Sequence, residues 1–107
     1  MIEVREAVQK DFTTITHLIQ NELGYPDVDA NKLNSRLDSF RTDEDWETFV
    51  AVLNNEVVGF IGVMKNRAYE IDRYYAQIMA LAVSEKTRRI GVGTALLEKV
   101  EEWVRSF

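Results

Sequence analysis

The sequence predicts a mixed α/β domain of the α+β kind, in the order β-α-α-β-β-β-α, and three observations carry that prediction. Apolar residues recur at helical spacing from Phe12 to Leu23 and again from Leu33 to Phe40. Two apolar runs, Trp46–Leu53 and Val57–Met64, flank the turn pair Asn54-Asn55 as the arms of a hairpin would. A longer run ending Leu81-Ala82-Val83 passes through a polar loop and Gly91-Val92-Gly93 into a final apolar-periodic stretch.

Each element has its own local reason. Ile2, Val4 and Ala7 alternate with charged residues, as in a strand with one buried face. In the first helix Phe12, Ile15, Leu18, Ile19, Glu22 and Leu23 fall at three-to-four spacing, and Gly24 and Pro26 end it. Asp29 is placed to cap a second helix in which Leu33, Leu37 and Phe40 share a face. The polar stretch Arg41–Asp45 separates the helices from the hairpin, and a looser charged segment, Lys65–Asp72, precedes the long strand ending at Val83. The last helix is expected over Ile90–Trp103, with Leu96, Leu97, Val100, Trp103 and Val104 on its apolar side.

A chain of 107 residues with 46% hydrophobic content suffices for one domain and hardly for two. Its net charge of -5 argues against a general nucleic-acid or anionic-membrane surface. The segment Ser84–Gly93 runs the other way, because Lys86, Arg88 and Arg89 outweigh Glu85. The absence of cysteine excludes disulfides, thiolate metal sites and a cysteine nucleophile, and His17, the single histidine, cannot anchor a metal site. The opening residues alternate rather than form a signal-peptide core, and no run approaches the roughly 18 apolar residues of a spanning helix. A cytoplasmic location is the expectation.

The chemistry concentrates in Ala76–Leu97, AQIMALAVSEKTRRIGVGTALL. A helix starting near Gly91 leaves its first backbone N–H groups without intrahelical partners, and glycine lets an anion approach that backbone closely. Arg88 and Arg89 add forked, charged donors suited to phosphate oxygens. Two glycines opening an otherwise strong helix are costly, each about 1 kcal/mol less favourable than alanine inside a helix, which points to a close approach. A Walker A loop needs Gly-Lys-Ser/Thr where this chain has Gly93-Thr94-Ala95. A Rossmann fingerprint needs a third glycine where Leu96 stands, and belongs on a first strand. What remains, Arg88-x-x-Gly91-x-Gly93 after a strand, closely resembles the acetyl-CoA pyrophosphate signature (Q/R)-x-x-G-x-(G/A) of the GNAT N-acetyltransferase superfamily.

The resemblance covers essentially the whole chain and corresponds to the N-terminal two-thirds of that domain. It implies an acyl-CoA N-acyltransferase fold and transfer of an acetyl group from acetyl-CoA, as co-substrate and without a metal, to a primary amine of a small molecule or protein. It places the pyrophosphate on Arg88, Arg89, Ile90, Gly91, Val92, Gly93 and Thr94. It places the pantetheine against the end of a bulged strand, Leu81, Ala82 and Val83, with the backbone N–H of Val83 or a neighbour polarising the thioester carbonyl. The general base is not readable; Glu70, Asp72, Tyr74, Tyr75 and Gln77 lie on or just before the strand where the family often places it. The acceptor side, Asp27–Glu47, carries seven acids (Asp27, Asp29, Asp38, Asp43, Glu44, Asp45 and Glu47) against Lys32, Arg36 and Arg41, which suits a cationic amine. The family's following strand and helix have no counterpart after Phe107, so a fragment of a domain of roughly 140–170 residues is expected, with an open sheet edge that favours a homodimer or other association. The rival class is a non-catalytic CoA-binding or protein-interaction module with the same fold.

Overall fold

The computed structural model describes residues 1–70 and 72–107. Asp29 does what its position promises: its Oδ1 accepts the N–H groups of Asn31 and Lys32 at 2.9 and 3.0 Å and starts the helix Ala30–Arg41. In chain order the elements are β1 (Glu3–Glu6), α1 (Phe12–Glu22), α2 (Ala30–Arg41), β2 (Trp46–Leu53), β3 (Glu56–Arg67), β4 (Tyr74–Val83) and α3 (Val92–Val104), with short 3-10 turns at Gln9–Asp11 and Glu85–Thr87. No helix among the described residues is long and apolar enough to cross a membrane.

The strands form one antiparallel sheet in the order β1-β2-β3-β4, so β4 lies at its edge. The hairpin between β2 and β3 turns at Asn54 and Asn55, both left-handed at φ 51° and 65°, as a two-residue turn matching strand twist requires. β3 outruns its expected end at Met64 and reaches Arg67, because Lys65, Asn66 and Arg67 pair with Ala76, Tyr75 and Tyr74. The segment expected to be loose from Lys65 is therefore strand at its start; position 71 lies outside the described residues.

Helices cover both faces. On one, Phe12, Ile15 and Leu18 of α1 and Leu33 and Leu37 of α2 pack with Val50, Phe60 and Ala82. On the other, Val92, Leu96 and Val100 of α3 pack with Phe49, Ala51, Ile61 and Val63. Two expectations are corrected here. Ala7 does not share the face of Ile2 and Val4, because the chain has left β1 and turned toward α1. Leu97 is 38% exposed, because the inward stripe of α3 runs Val92, Leu96 and Val100 at four-residue spacing and Leu97 lies one residue off it; α3 also begins at Val92 rather than Ile90.

The seating of α3 depends on a residue without a side chain. A Cβ on Gly59 would lie 3.0 Å from the Ala82 carbonyl oxygen and 3.0 Å from a Val92 methyl. The first turn of α3 rests on that gap, which fixes the height of its N-terminus over the ends of β3 and β4.

Candidate functional site

The site is built where β4 ends and α3 begins. Ser84 donates its N–H to the Val58 carbonyl at 2.7 Å, so the chain is still anchored to β3 at that point. Backbone groups alternate sides along a strand, so Ala82 also faces β3 while the N–H and C=O groups of Leu81 and Val83 face the open edge. The side chains of Leu81 and Val83 meanwhile pack toward α3, and Ala82 is buried on the α1–α2 face. Packing and an outward-facing backbone thus coexist at the same two residues.

Further back, the pairing slips. Gly62 opposes Ala80 but Val63 opposes Ile78, which leaves Met79 as the extra residue of a bulge. The bulge reverses the alternation: Ala80 packs toward the α1–α2 core, whereas Ala76 packs toward α3. It lies four residues before Val83 rather than beside it.

After Ser84 the chain makes a tight turn in which Thr87 donates its N–H and its hydroxyl to the Ser84 carbonyl at 3.0 and 3.2 Å. Arg89 is left-handed at φ 71°, a conformation that costs a residue bearing a Cβ about 1–2 kcal/mol. Gly91 is left-handed at φ 94° and forms the N-cap of α3 without supplying a side-chain cap. The first helical bond runs from the Ala95 N–H to the Gly91 carbonyl at 2.9 Å, so the N–H groups of Val92, Gly93 and Thr94 have no acceptor within the helix. A Cβ at Gly91 or Gly93 would meet nothing within 4 Å. Packing therefore demands neither glycine; Gly91 is demanded by its dihedral, and the open space beside Gly93 is the kind of cradle an anion needs. Arg88, Arg89 and Ile90 are exposed around it.

Arg88 is not idle. Its Nη2 donates to Oε1 of Glu22 at 2.7 Å, and Oε2 of the same carboxylate accepts the Glu85 N–H at 3.2 Å. Glu22 is the last residue of α1 and only 17% of its side chain is exposed. Sequence reasoning placed it on the inward stripe of α1 without giving it a partner; a carboxylate on an apolar stripe was the available signal.

The five base candidates separate in space. Glu70 and Asp72 sit with Arg67, Arg73 and Phe107 around a cavity of about 890 Å³ at the far end of β4. Tyr74 faces α3, under the Lys65 ammonium at 4.2 Å from its ring centre and edge-on to Phe107 at 6.3 Å. Tyr75 and Gln77 lie on the α1–α2 side, where Gln77 Oε1 accepts from Asn66 Nδ2 at 2.6 Å. Gln77 is nearest the bulge, two residues from Met79. At about 3.3 Å per residue, Tyr74 is about 16 Å from it. On the same side the Phe40 and Trp46 rings stack at 3.9 Å, tying the end of α2 to the start of β2. Within the Asp27–Glu47 stretch, burial and the nearby Glu6 push the Glu47 carboxyl up. Among the described residues no group of His, Asp and Glu could hold a metal ion.

Comparisons with known proteins converge on one family. The Acetyltransferase (GNAT) family matches residues 4–107. An uncharacterized N-acetyltransferase of the lysA 3′ region of Bacillus methanolicus is 22% identical over 102 residues, which is 95% of this chain and 77% of that protein. A GNAT family acetyltransferase from Staphylococcus aureus superposes with a TM-score of 0.84 at 28% identity, over 98% of this chain and 78% of that one. An aminoglycoside 6′-N-acetyltransferase from Acinetobacter baumannii gives 0.85 at 16% identity, over 100% and 74%. A ribosomal-protein-alanine N-acetyltransferase from Brucella melitensis gives 0.79 at 14%, over 99% and 73%. The sheet with helices on its two faces superposes on these structures over nearly its whole length, and the chain belongs to the Acetyltransferase (GNAT) family.

Proposed function

We propose that this chain binds acetyl-CoA along β4 and at the N-terminus of α3 and serves N-acetylation of a primary amine. The observation that carries the reading is the continuity of backbone donors: the edge-facing groups of Leu81 and Val83 lead directly into the free N–H groups of Val92, Gly93 and Thr94, with Arg88 and Arg89 beside them. Acetyl-CoA supplies the acetyl group as a thioester, which passes to the amine nitrogen as the C–S bond breaks and CoA leaves as the thiol. The chain's own part is to hold the anionic end on uncapped N–H groups, to take the amides of the arm as an added strand at Leu81 and Val83, and to offer an edge-facing N–H to the carbonyl oxygen as negative charge develops there. The proton lost by the amine is relayed through water to the departing thiolate, and Gln77, two residues from Met79, is the base candidate nearest the bulge along β4. The acid-rich Asp27–Glu47 surface favours a cationic acceptor.

A non-catalytic CoA-binding or protein-interaction module is the second reading, favoured by one observation: Gln77, Ile78, Met79 and Ala80 around the bulge include no titratable group. Turnover separates the two. Incubation with acetyl-CoA and a panel of polyamines, amino acids, aminoglycosides and peptide N-termini, with release of the CoA thiol followed by colour, gives amine-dependent release if the first reading holds. CoA binding without release from any amine supports the second.

A further inference from the structure

The contact between Glu22 and the 84–91 loop joins two parts of the molecule that sequence separates by more than 60 residues. Three features make it more than a surface ion pair. The carboxylate is largely buried and both of its oxygens are engaged, one by a backbone N–H and one by the guanidinium. It stands at the C-terminal end of α1, where the helix dipole is negative and a carboxylate is disfavoured unless a cation offsets it. Glu22 is also the only hydrogen-bond partner of the Arg88 side chain among the described residues, and it takes one nitrogen, Nη2. A guanidinium has five N–H donors in a rigid plane, so fixing one terminal nitrogen sets where the rest point.

We propose that Glu22 is a positioning residue of the donor site: it holds Arg88 and the start of the Glu85–Thr87 turn so that the remaining N–H groups of the guanidinium face the pyrophosphate of acetyl-CoA. This deepens the proposed function and rests on it. Glu22 also ends α1 two residues before the left-handed Gly24 at φ 77°, the turn into the acid-rich stretch. The same carboxylate therefore ties the end of α1 to the donor loop. Its negative charge reduces the local positive field, but a pre-oriented arginine loses less freedom on binding, and the second effect governs here.

The test is a double-mutant cycle on CoA affinity, read by calorimetric titration of the wild-type chain, Glu22→Gln, Arg88→Ala and the double variant, with far-UV circular dichroism and thermal melting of each ligand-free protein. Glu22→Gln keeps the shape of the side chain and is expected to weaken CoA binding about 10-fold, the worth of one charge-assisted hydrogen bond. In the Arg88→Ala background the same change has no further effect, because Glu22 acts through Arg88. A purely structural tie would instead lower the melting temperature and weaken binding equally in both backgrounds, which overturns the proposal. Tighter binding by Glu22→Gln also overturns it, since the carboxylate would then be a competitor of the phosphate. Wild-type protein that takes up no CoA overturns the donor-site reading itself, and the role of Glu22 falls with it. CoA uptake by wild type at an affinity unchanged in Glu22→Gln overturns the role of Glu22 alone.

Discussion

Single residues show where sequence and structure agree for a physical reason and where they diverge. Gly91 was legible because a helix opened by glycines is costly without a ligand or a special dihedral, and its φ of 94° supplies the dihedral. Gly93 has open space and no such φ, so the two glycines should separate on substitution. Gly93→Ala is expected to gain a few tenths to about 1 kcal/mol in urea denaturation and to retain CoA binding, alanine being compatible with the family signature. Gly91→Val is expected to lose about 1 kcal/mol or more and to lose CoA binding as well. Arg88 was legible as a cation near the site, but its partner was not, because a contact across more than 60 residues leaves no local pattern. Asp11 was missed although its partners Arg5 and Val8 are only six and three residues away, because they meet only where the chain turns from β1 into the Gln9–Asp11 turn. Its carboxylate is buried; burial pushes its pKa up, but the Arg5 guanidinium at 2.7 Å and the Val8 N–H at 2.8 Å outweigh that and bring it below the ordinary value. A lowered carboxylate pKa adds stability that is complete above the unfolded-state value and is lost as pH falls through the folded one. Asp11→Asn is accordingly expected to cost about 1.5–3 kcal/mol at pH 7, with the gap between variant and wild type narrowing only as the pH falls below the ordinary aspartate range.

Among the elements, α2, β2 and the Asn54-Asn55 turn stood at their expected positions because each is fixed by its own residues: a cap, an apolar run, a left-handed pair. The ends of β3 and β4 were not legible, since Lys65–Arg67 and Tyr74–Tyr75 are strand only by virtue of one another. The bulge at Met79 was expected somewhere in the strand by resemblance, yet its register depends on pairing with Gly62 and Val63, which no pattern in Ala76–Val83 encodes. The role of Gly59 was likewise hidden, because it is set by a helix that arrives more than 30 residues later. Gly59→Ala is expected to destabilise the protein by about 1–3 kcal/mol, as overpacking does, because the Ala82 carbonyl cannot yield as a flexible side chain would. Chemical denaturation measures the loss. A parallel fall in CoA affinity is expected, since α3 can relieve the contact only by lifting its N-terminus from the sheet.

For the whole molecule, the decisive feature is the edge position of β4 in a sheet otherwise covered on both faces. At the end of α3 Trp103 and Val104 are half-buried, and Phe107, 38% exposed, meets Trp103 edge-on at 4.8 Å. Exposed apolar surface also follows the outer half of β4, where Tyr74, Tyr75, Ile78 and Met79 are each 42–48% exposed. An apolar edge strand of this kind is a template for pairing, so this chain is expected to self-associate across β4. Light scattering coupled to size-exclusion chromatography reads it directly, and a sharp species of 12.4 kDa at high micromolar concentration would contradict it. The family was legible because the residues that carry its signature lie in one contiguous stretch, Leu81–Thr94, whereas the Asp27–Glu47 stretch proposed for the acceptor carries a charge surplus and no motif. The central claim, that this stretch holds acetyl-CoA by its backbone, is tested most directly by titrating CoA into isotopically labelled protein and following each backbone amide by NMR. The account predicts saturable shifts concentrated at Leu81, Val83 and the amides of Val92, Gly93 and Thr94; the absence of saturable shifts, or shifts confined to residues away from β4 and the start of α3, would contradict it.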